Sequence, residues 1–175
     1  GRLDILVNNA GLNQKVASVT ETTDEEWDRV LKVILTGTFY CCRAGGAIME
    51  SQESGCIVNI SSIFGRESGG PVSYNAAKAA MISMTANLAI EAAPRNIRVN
   101  SVAPGSILFP GGSWERRQRE HPEKIAQFVK DSIPSGRFGK PEEVAAVEGS
   151  YTGQYLCPIT ITSRPESRPR RRIPI

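Results

Sequence analysis

Gly55-Cys56-Ile57-Val58-Asn59-Ile60-Ser61-Ser62 is a nearly unbroken apolar run closed by two hydroxyls. Runs of this length without polar alternation mark strands buried on both faces of a parallel sheet. Two similar runs flank it. Upstream, Leu3-Asp4-Ile5-Leu6-Val7-Asn8-Asn9-Ala10-Gly11 reads as a strand entering a turn, and downstream Ile97-Arg98-Val99-Asn100-Ser101-Val102-Ala103 ends at Pro104-Gly105. Helical patterns fill both intervals. Thr23-Asp24-Glu25-Glu26 has the form of a capping box, and Trp27, Val30, Leu31, Ile34 and Leu35 follow at helical spacing. That helix is expected to reach Arg43 or Met49, with Gly45-Gly46 marking its weak end. A second helix is expected from Ser73 to Ala92, rich in Ala, Met and Leu and stopped near Pro94. Strand, helix, strand, helix, strand at these spacings predicts an α/β fold with a parallel sheet and right-handed crossovers.

Beyond Pro104-Gly105, Ser113 to Lys130 reads as helical with a boundary near Pro122. Another helix opens at Pro141 and is interrupted by Glu148-Gly149-Ser150, and Tyr151 to Cys157 reads as a last strand. Residues 163–175 are Arg- and Pro-rich and read as a disordered tail, which leaves residues 1–162 as one domain. The tail also distorts the bulk charge. The chain of 175 residues has a formal charge of +3, and the tail alone contributes +4, so the remainder carries −1. A near-neutral body offers no broad basic face for nucleic acid, and no apolar run is long enough to span a membrane. The opening at Gly1 rather than Met, directly before a strand, reads as a chain whose N-terminus lies further upstream. Four cysteines without a C-x-x-C pair, and a single histidine (His121), argue against a zinc site. They read as buried reduced thiols, in keeping with a cytoplasmic location.

The chemistry centres on Ser73-Tyr74-Asn75-Ala76-Ala77-Lys78. Four residues apart on a helix, Tyr74 and Lys78 share one face. An ammonium beside a phenol favours the phenolate and is expected to lower its pKa from about 10, making a proton-transfer pair. In an open parallel sheet, ligands bind beyond the carboxyl ends of the strands. Asn8 to Gly11, Ser61-Ser62 and Pro104-Gly105 all lie at that edge, and Tyr74 and Lys78 open the helix that follows it.

Taken together, these segments and Gly136-Arg137-Phe138-Gly139-Lys140-Pro141-Glu142-Glu143-Val144-Ala145 resemble the short-chain dehydrogenase/reductase family, of the 3-oxoacyl-[acyl-carrier-protein] reductase type. The resemblance runs from Gly1 to about Val147 and implies a Rossmann-like doubly wound parallel sheet. It further implies an NAD(P)-dependent enzyme that moves a hydride between nicotinamide and a carbonyl or secondary alcohol. Tyr74 would transfer the proton, Lys78 would tune it and hold ribose hydroxyls, and Ser62, with Ser61 as fallback, would hydrogen-bond the substrate oxygen. Asn8, Ala10 and Gly11 would line the cofactor's ribose, and Pro104, Gly105 and Ile107 would shape the nicotinamide pocket. NAD and NADP are both open. The Gly-rich phosphate loop and the residue that separates the two cofactors belong to a first half expected upstream of Gly1. Homo-oligomerisation through the helices beginning near Asp24 and Ser73 is also implied.

The sequence departs from the family's pattern in places. Ile34 stands where the family has an Asn that props a helix distortion and a water for proton relay. Phe109 replaces a Thr two residues after Ile107, and Cys157-Pro158-Ile159 replaces an acidic-glycine ending. Trp114, Arg116, Arg117, Arg119 and His121 fall in the segment that covers the substrate in the family, and they read as a solvated helix face. The alternative to an enzyme is a catalytically inactive fragment or degraded copy retaining only the scaffold. A further rival is a protein that binds anions through its Arg-rich tail.

Overall fold

The computed structural model describes residues 1–12, 14–15 and 18–145. The expected last strand, Cys157 and the Arg-rich tail therefore lie outside the described residues. Three strands, β1 (Ile5–Asn8), β2 (Gly55–Ile60) and β3 (Ile97–Val102), form a parallel sheet in the order β1-β2-β3. Val7 is level with Val58, and Val58 with Asn100, so the three carboxyl ends lie at one edge. The middle strand is the most buried, as its apolar run requires: Cys56, Ile57, Val58 and Asn59 are all enclosed.

The first crossover is helical throughout. It comprises α1 (Asp24–Leu31), a π turn (Lys32–Thr36) and α2 (Gly37–Gln52). Thr23 caps α1 by accepting from the Glu26 amide at 3.3 Å. Thr23→Ala is expected to lower thermal stability by about 1 kcal/mol, with Thr23→Ser nearly neutral, as thermal unfolding will report. The helix does not weaken at Gly45-Gly46. Gly45 is buried because α2 crosses β1 there so closely that a Cβ would lie 2.9 Å from Leu6 Cδ2. Close approach outweighs glycine's poor helix propensity. Around this contact, Cys42, Met49, Ile57, Ile97 and Val99 form the larger core cluster.

The π turn forms with no side-chain amide at position 34. Gly37 N donates to Lys32 O, and Thr38 Oγ1 donates to Ile34 O at 2.7 Å. Ile34 is fully buried and packs with Val30, Ala77 and Met81. The distortion is thus held by backbone bonding, the Thr38 hydroxyl and apolar packing.

The second crossover carries α3 (Val72–Ala92), close to its expected limits. After β3 come α4 (Ser113–Glu120), α5 (Pro122–Ser132) and α6, described over Pro141–Ala145. A parallel bridge between Ile107 and Gly139 brings the start of α6 back to the sheet's carboxyl edge. Of the cysteines, Cys42 and Cys56 are buried as expected, but Cys41 is exposed because it lies on the outer face of α2.

Candidate active site

β2 ends by delivering two hydroxyls to different tasks. Ser61 Oγ donates to the Lys78 carbonyl at 2.8 Å, tying the strand end to α3. Ser62 Oγ accepts from the Phe64 amide at 3.2 Å and lines the same cavity as Tyr74. The pair thus divides its hydrogen bonds, Ser61 to α3 and Ser62 to the turn that follows β2, and both line the cavity described below. Ser61→Ala is expected to cost about 1 kcal/mol of stability. Ser62→Ala is expected to cost a similar amount, because it strips the cap from the Phe64 amide, and, on the function proposed below, to lower carbonyl turnover about 100-fold as well. Parallel unfolding and rate measurements separate the two.

Tyr74 and Lys78 share a face of α3, with Lys78 Nζ lying 5.7 Å from the Tyr74 ring centroid. The start of α3 is fixed from outside the helix. Its N-cap is Pro71, which has no capping side chain, and Gln14 takes over that function. Gln14 Oε1 accepts from the Ser73 amide at 3.1 Å and from the Ser73 hydroxyl, and Gln14 Nε2 donates to Thr22 Oγ1 at 2.8 Å. Sequence reasoning missed Gln14, because a lone glutamine in a polar loop carries no local sign of a tertiary cap.

The expected lowering of the Tyr74 pKa is not what the geometry gives. Burial pushes the phenol up from its ordinary value, and the Ser62 hydroxyl only partly offsets this. Lys78 itself is enclosed and donates to the Ile60 carbonyl at 2.6 Å. Burial also lowers its pKa to about 8. Desolvation penalises both charged forms and here outweighs their mutual effect. At neutral pH the site therefore holds a protonated phenol above an ammonium that has two N–H donors beyond the one used on Ile60.

A cavity of about 830 Å³ opens on this face. Ser62, Tyr74, Lys78, Gly11, Pro104, Gly105 and Ile107 line it. Gly105 is required there, since a Cβ at this position would collide with Ile63 Cγ2. Asn8 and Ala10 are not among the lining residues, whereas Asn9 is. Asn8 is instead turned into the core, where Asn8 Nδ2 donates to Asn59 Oδ1 at 2.8 Å and Asn59 Nδ2 donates to Thr85 Oγ1 at 2.9 Å. Cross-strand pairing of two amides satisfies groups that could not be buried singly. Phe109 lines the cavity, as do Trp114 and Arg117, which the sequence pattern had assigned to a solvated face. Arg116 and His121 line a neighbouring cavity of about 680 Å³, and Arg119 lines neither.

Comparisons with known proteins bear on the family and the fold. A family model described as Enoyl-(Acyl carrier protein) reductase matches residues 1–148. A 3-oxoacyl-[acyl-carrier-protein] reductase of Thermotoga maritima is 44% identical over 165 residues, covering 89% of this chain and 64% of that protein. The chain belongs to the short-chain dehydrogenase/reductase family. Among solved structures, a 3-oxoacyl-[acyl-carrier protein] reductase with bound NAD from Brucella melitensis is 41% identical with a TM-score of 0.70, covering 81% of this chain and 52% of that one. An NAD+-bound xylitol dehydrogenase is 33% identical with a TM-score of 0.74, covering 83% and 62%. This short-chain dehydrogenase/reductase chain thus has the family's Rossmann-like α/β architecture and spans 64% or less of the length of these relatives.

Proposed function

We propose that this chain is the proton-transfer portion of an NAD(P)-dependent oxidoreductase acting on a carbonyl or secondary alcohol. The observation that carries the reading is the convergence of Ser62, Tyr74 and Lys78 on one cavity at the carboxyl edge of the sheet. The lining also suits the nicotinamide and ribose of a cofactor. The cavity is large enough for that half together with a small substrate, and Lys78 keeps two donors for hydroxyls. Gly11, Lys78, Pro104, Gly105 and Ile107 are the residues that would hold it. When bound, the nicotinamide supplies or accepts the hydride.

In the reducing direction, Tyr74 donates its proton to the substrate oxygen as negative charge develops there. Its raised pKa keeps it loaded with that proton at neutral pH. Ser62 stabilises the same oxygen by hydrogen bonding. Lys78 supports the phenolate left behind, and its pKa of about 8 lets it exchange protons near physiological pH. The enzyme named in the Thermotoga maritima relative supports reduction of a carbonyl as the physiological direction.

A cytoplasmic homo-oligomer is part of the same proposal. Val33, Tyr40, Ile48 and Ile90 stand exposed on the long helices that the resemblance assigns to subunit contact. Among the described residues, no helix is long and apolar enough to cross a membrane. One specific observation favours the second reading, an inactive scaffold: the buried Ile34 has no polar side-chain atom to relay a proton toward α3. Turnover decides between the two. Loss of reduced-nicotinamide absorbance with a carbonyl substrate is expected, with NADH and NADPH tested separately. A correctly folded chain that binds either cofactor yet turns over no carbonyl would establish the scaffold reading.

A further inference from the structure

Among the described residues, the Tyr74 cavity is lined by two cationic side chains, Lys78 and Arg117, and by no carboxylate, whereas Glu67 and Glu120 line the neighbouring one. Lys78 lies inside, bonded to the Ile60 carbonyl. Arg117 lies at the seam, lining both this cavity and the neighbouring one. Among the described residues it makes no ion pair. Its guanidinium lies 5.1 Å from the Trp114 ring centroid, and that ring stacks on Phe128 at 4.8 Å and tilts against Phe138 at 5.2 Å. The guanidinium thus lies over an aromatic platform on an exposed side chain. An arginine edge is suited to bidentate bonding of a carboxylate. Ile63, Phe64, Ile107 and Phe109 supply apolar wall beside Ser106 and Ser113.

We propose that Arg117 is a specificity-determining residue that binds the carboxylate of an oxo-acid substrate, whose carbonyl is presented to Tyr74 and Ser62. The proposal rests on the reading of this cavity as a carbonyl site and adds the class of carbonyl it takes. Apolar walls accommodate the carbon chain, and the one cation at the seam gives the anionic end a partner that a neutral ketone cannot use. On the Tyr74 side of the seam no described carboxylate opposes that anion, and the glutamates Glu67 and Glu120 lie on the other side.

The test is a binding titration, which does not require hydride transfer. With Trp27→Phe as background, Trp114 is the sole tryptophan reporter. The probes are 3-oxobutanoate and its neutral methyl ester. Saturable quenching by 3-oxobutanoate is expected, weakened about 10-fold or more by Arg117→Met and less by Arg117→Lys. The ester should bind both the background and Arg117→Met equally, which also reports that the Met variant is folded. Added salt should weaken the acid and spare the ester. The proposal is overturned if 3-oxobutanoate gives no saturable signal, or if Arg117→Met changes acid and ester alike or changes neither. Tyr74→Phe should retain acid binding. If that variant also retained full turnover, the carbonyl-reductase mechanism would fail while the carboxylate site stood.

Discussion

Tyr74→Phe is expected to reduce carbonyl turnover by about 10²- to 10⁴-fold, the usual contribution of a positioned general acid. The substitution removes one oxygen and leaves the ring, which packs against the cluster of Val30, Ile34, Ala77 and Met81. The Ser62 hydroxyl still accepts from the Phe64 amide. Stability should therefore change by about 1 kcal/mol or less. Because the pKa of Tyr74 is raised by burial, the reduction rate expected on the proposed function should stay flat through neutral pH and not fall until alkaline pH removes the proton. The pH profile of turnover, measured beside thermal unfolding, checks both parts. Turnover within a few-fold of native in the Phe variant would remove Tyr74 from the chemistry.

Lys78→Met should erase a distinctive pH dependence of stability. The folded-state pKa of Lys78 is about 8, against an ordinary value of 10.5. Between those values the unfolded chain binds more protons than the folded one, so stability rises with pH across that window. Below about pH 8 the ammonium is charged in both states, and the folded protein carries the full cost of enclosing it. The difference corresponds to about 3 kcal/mol across the window, at about 1.4 kcal/mol per pKa unit. Buried thiols and Tyr74, all raised by burial, titrate with the opposite sign, and they are present in both proteins. Subtracting the two denaturant-unfolding curves isolates Lys78. A native-minus-Met difference that stays flat from pH 8 to 10.5 would show that the ammonium is better solvated than its burial implies. At neutral pH the Met variant gains by avoiding the enclosed charge and loses by leaving the Ile60 carbonyl without its 2.6 Å partner. Its turnover should fall with that of the Tyr74 variant.

The sheet was legible in the sequence because its middle strand is buried on both faces. Cys56 to Ile60 has no solvent side to interrupt its apolar run, and the crossovers between such runs leave few alternatives. The Tyr74–Lys78 face was legible because helical spacing is local. What escaped was tertiary. The direction of the Tyr74 shift depends on how completely α3 is covered, which no spacing reveals. Asn8 is at the correct strand end, but its partner Asn59 lies 51 residues away and draws the amide inward. Gln14 acts across 59 residues of chain on Ser73. Trp114 and Arg117 resembled a charged surface helix because one side of α4 does face solvent. Only the aromatic contacts with Phe128 and Phe138 bring that helix over the cavity.

The π turn at Lys32–Thr36 can also be understood as an insertion absorbed where it occurred. A π turn holds one residue more than an α turn. Deleting the half-exposed Val33 would convert it to ordinary α geometry and leave the faces of α1 and α2 in their present phase. The same deletion within α2 would rotate every later side chain by about 100° and swing Met49 out from beneath the sheet. Length changes in this crossover are therefore tolerable at one place, opposite the helix that carries Lys78, and a descendant of this chain could shed that residue without disturbing the register of its core.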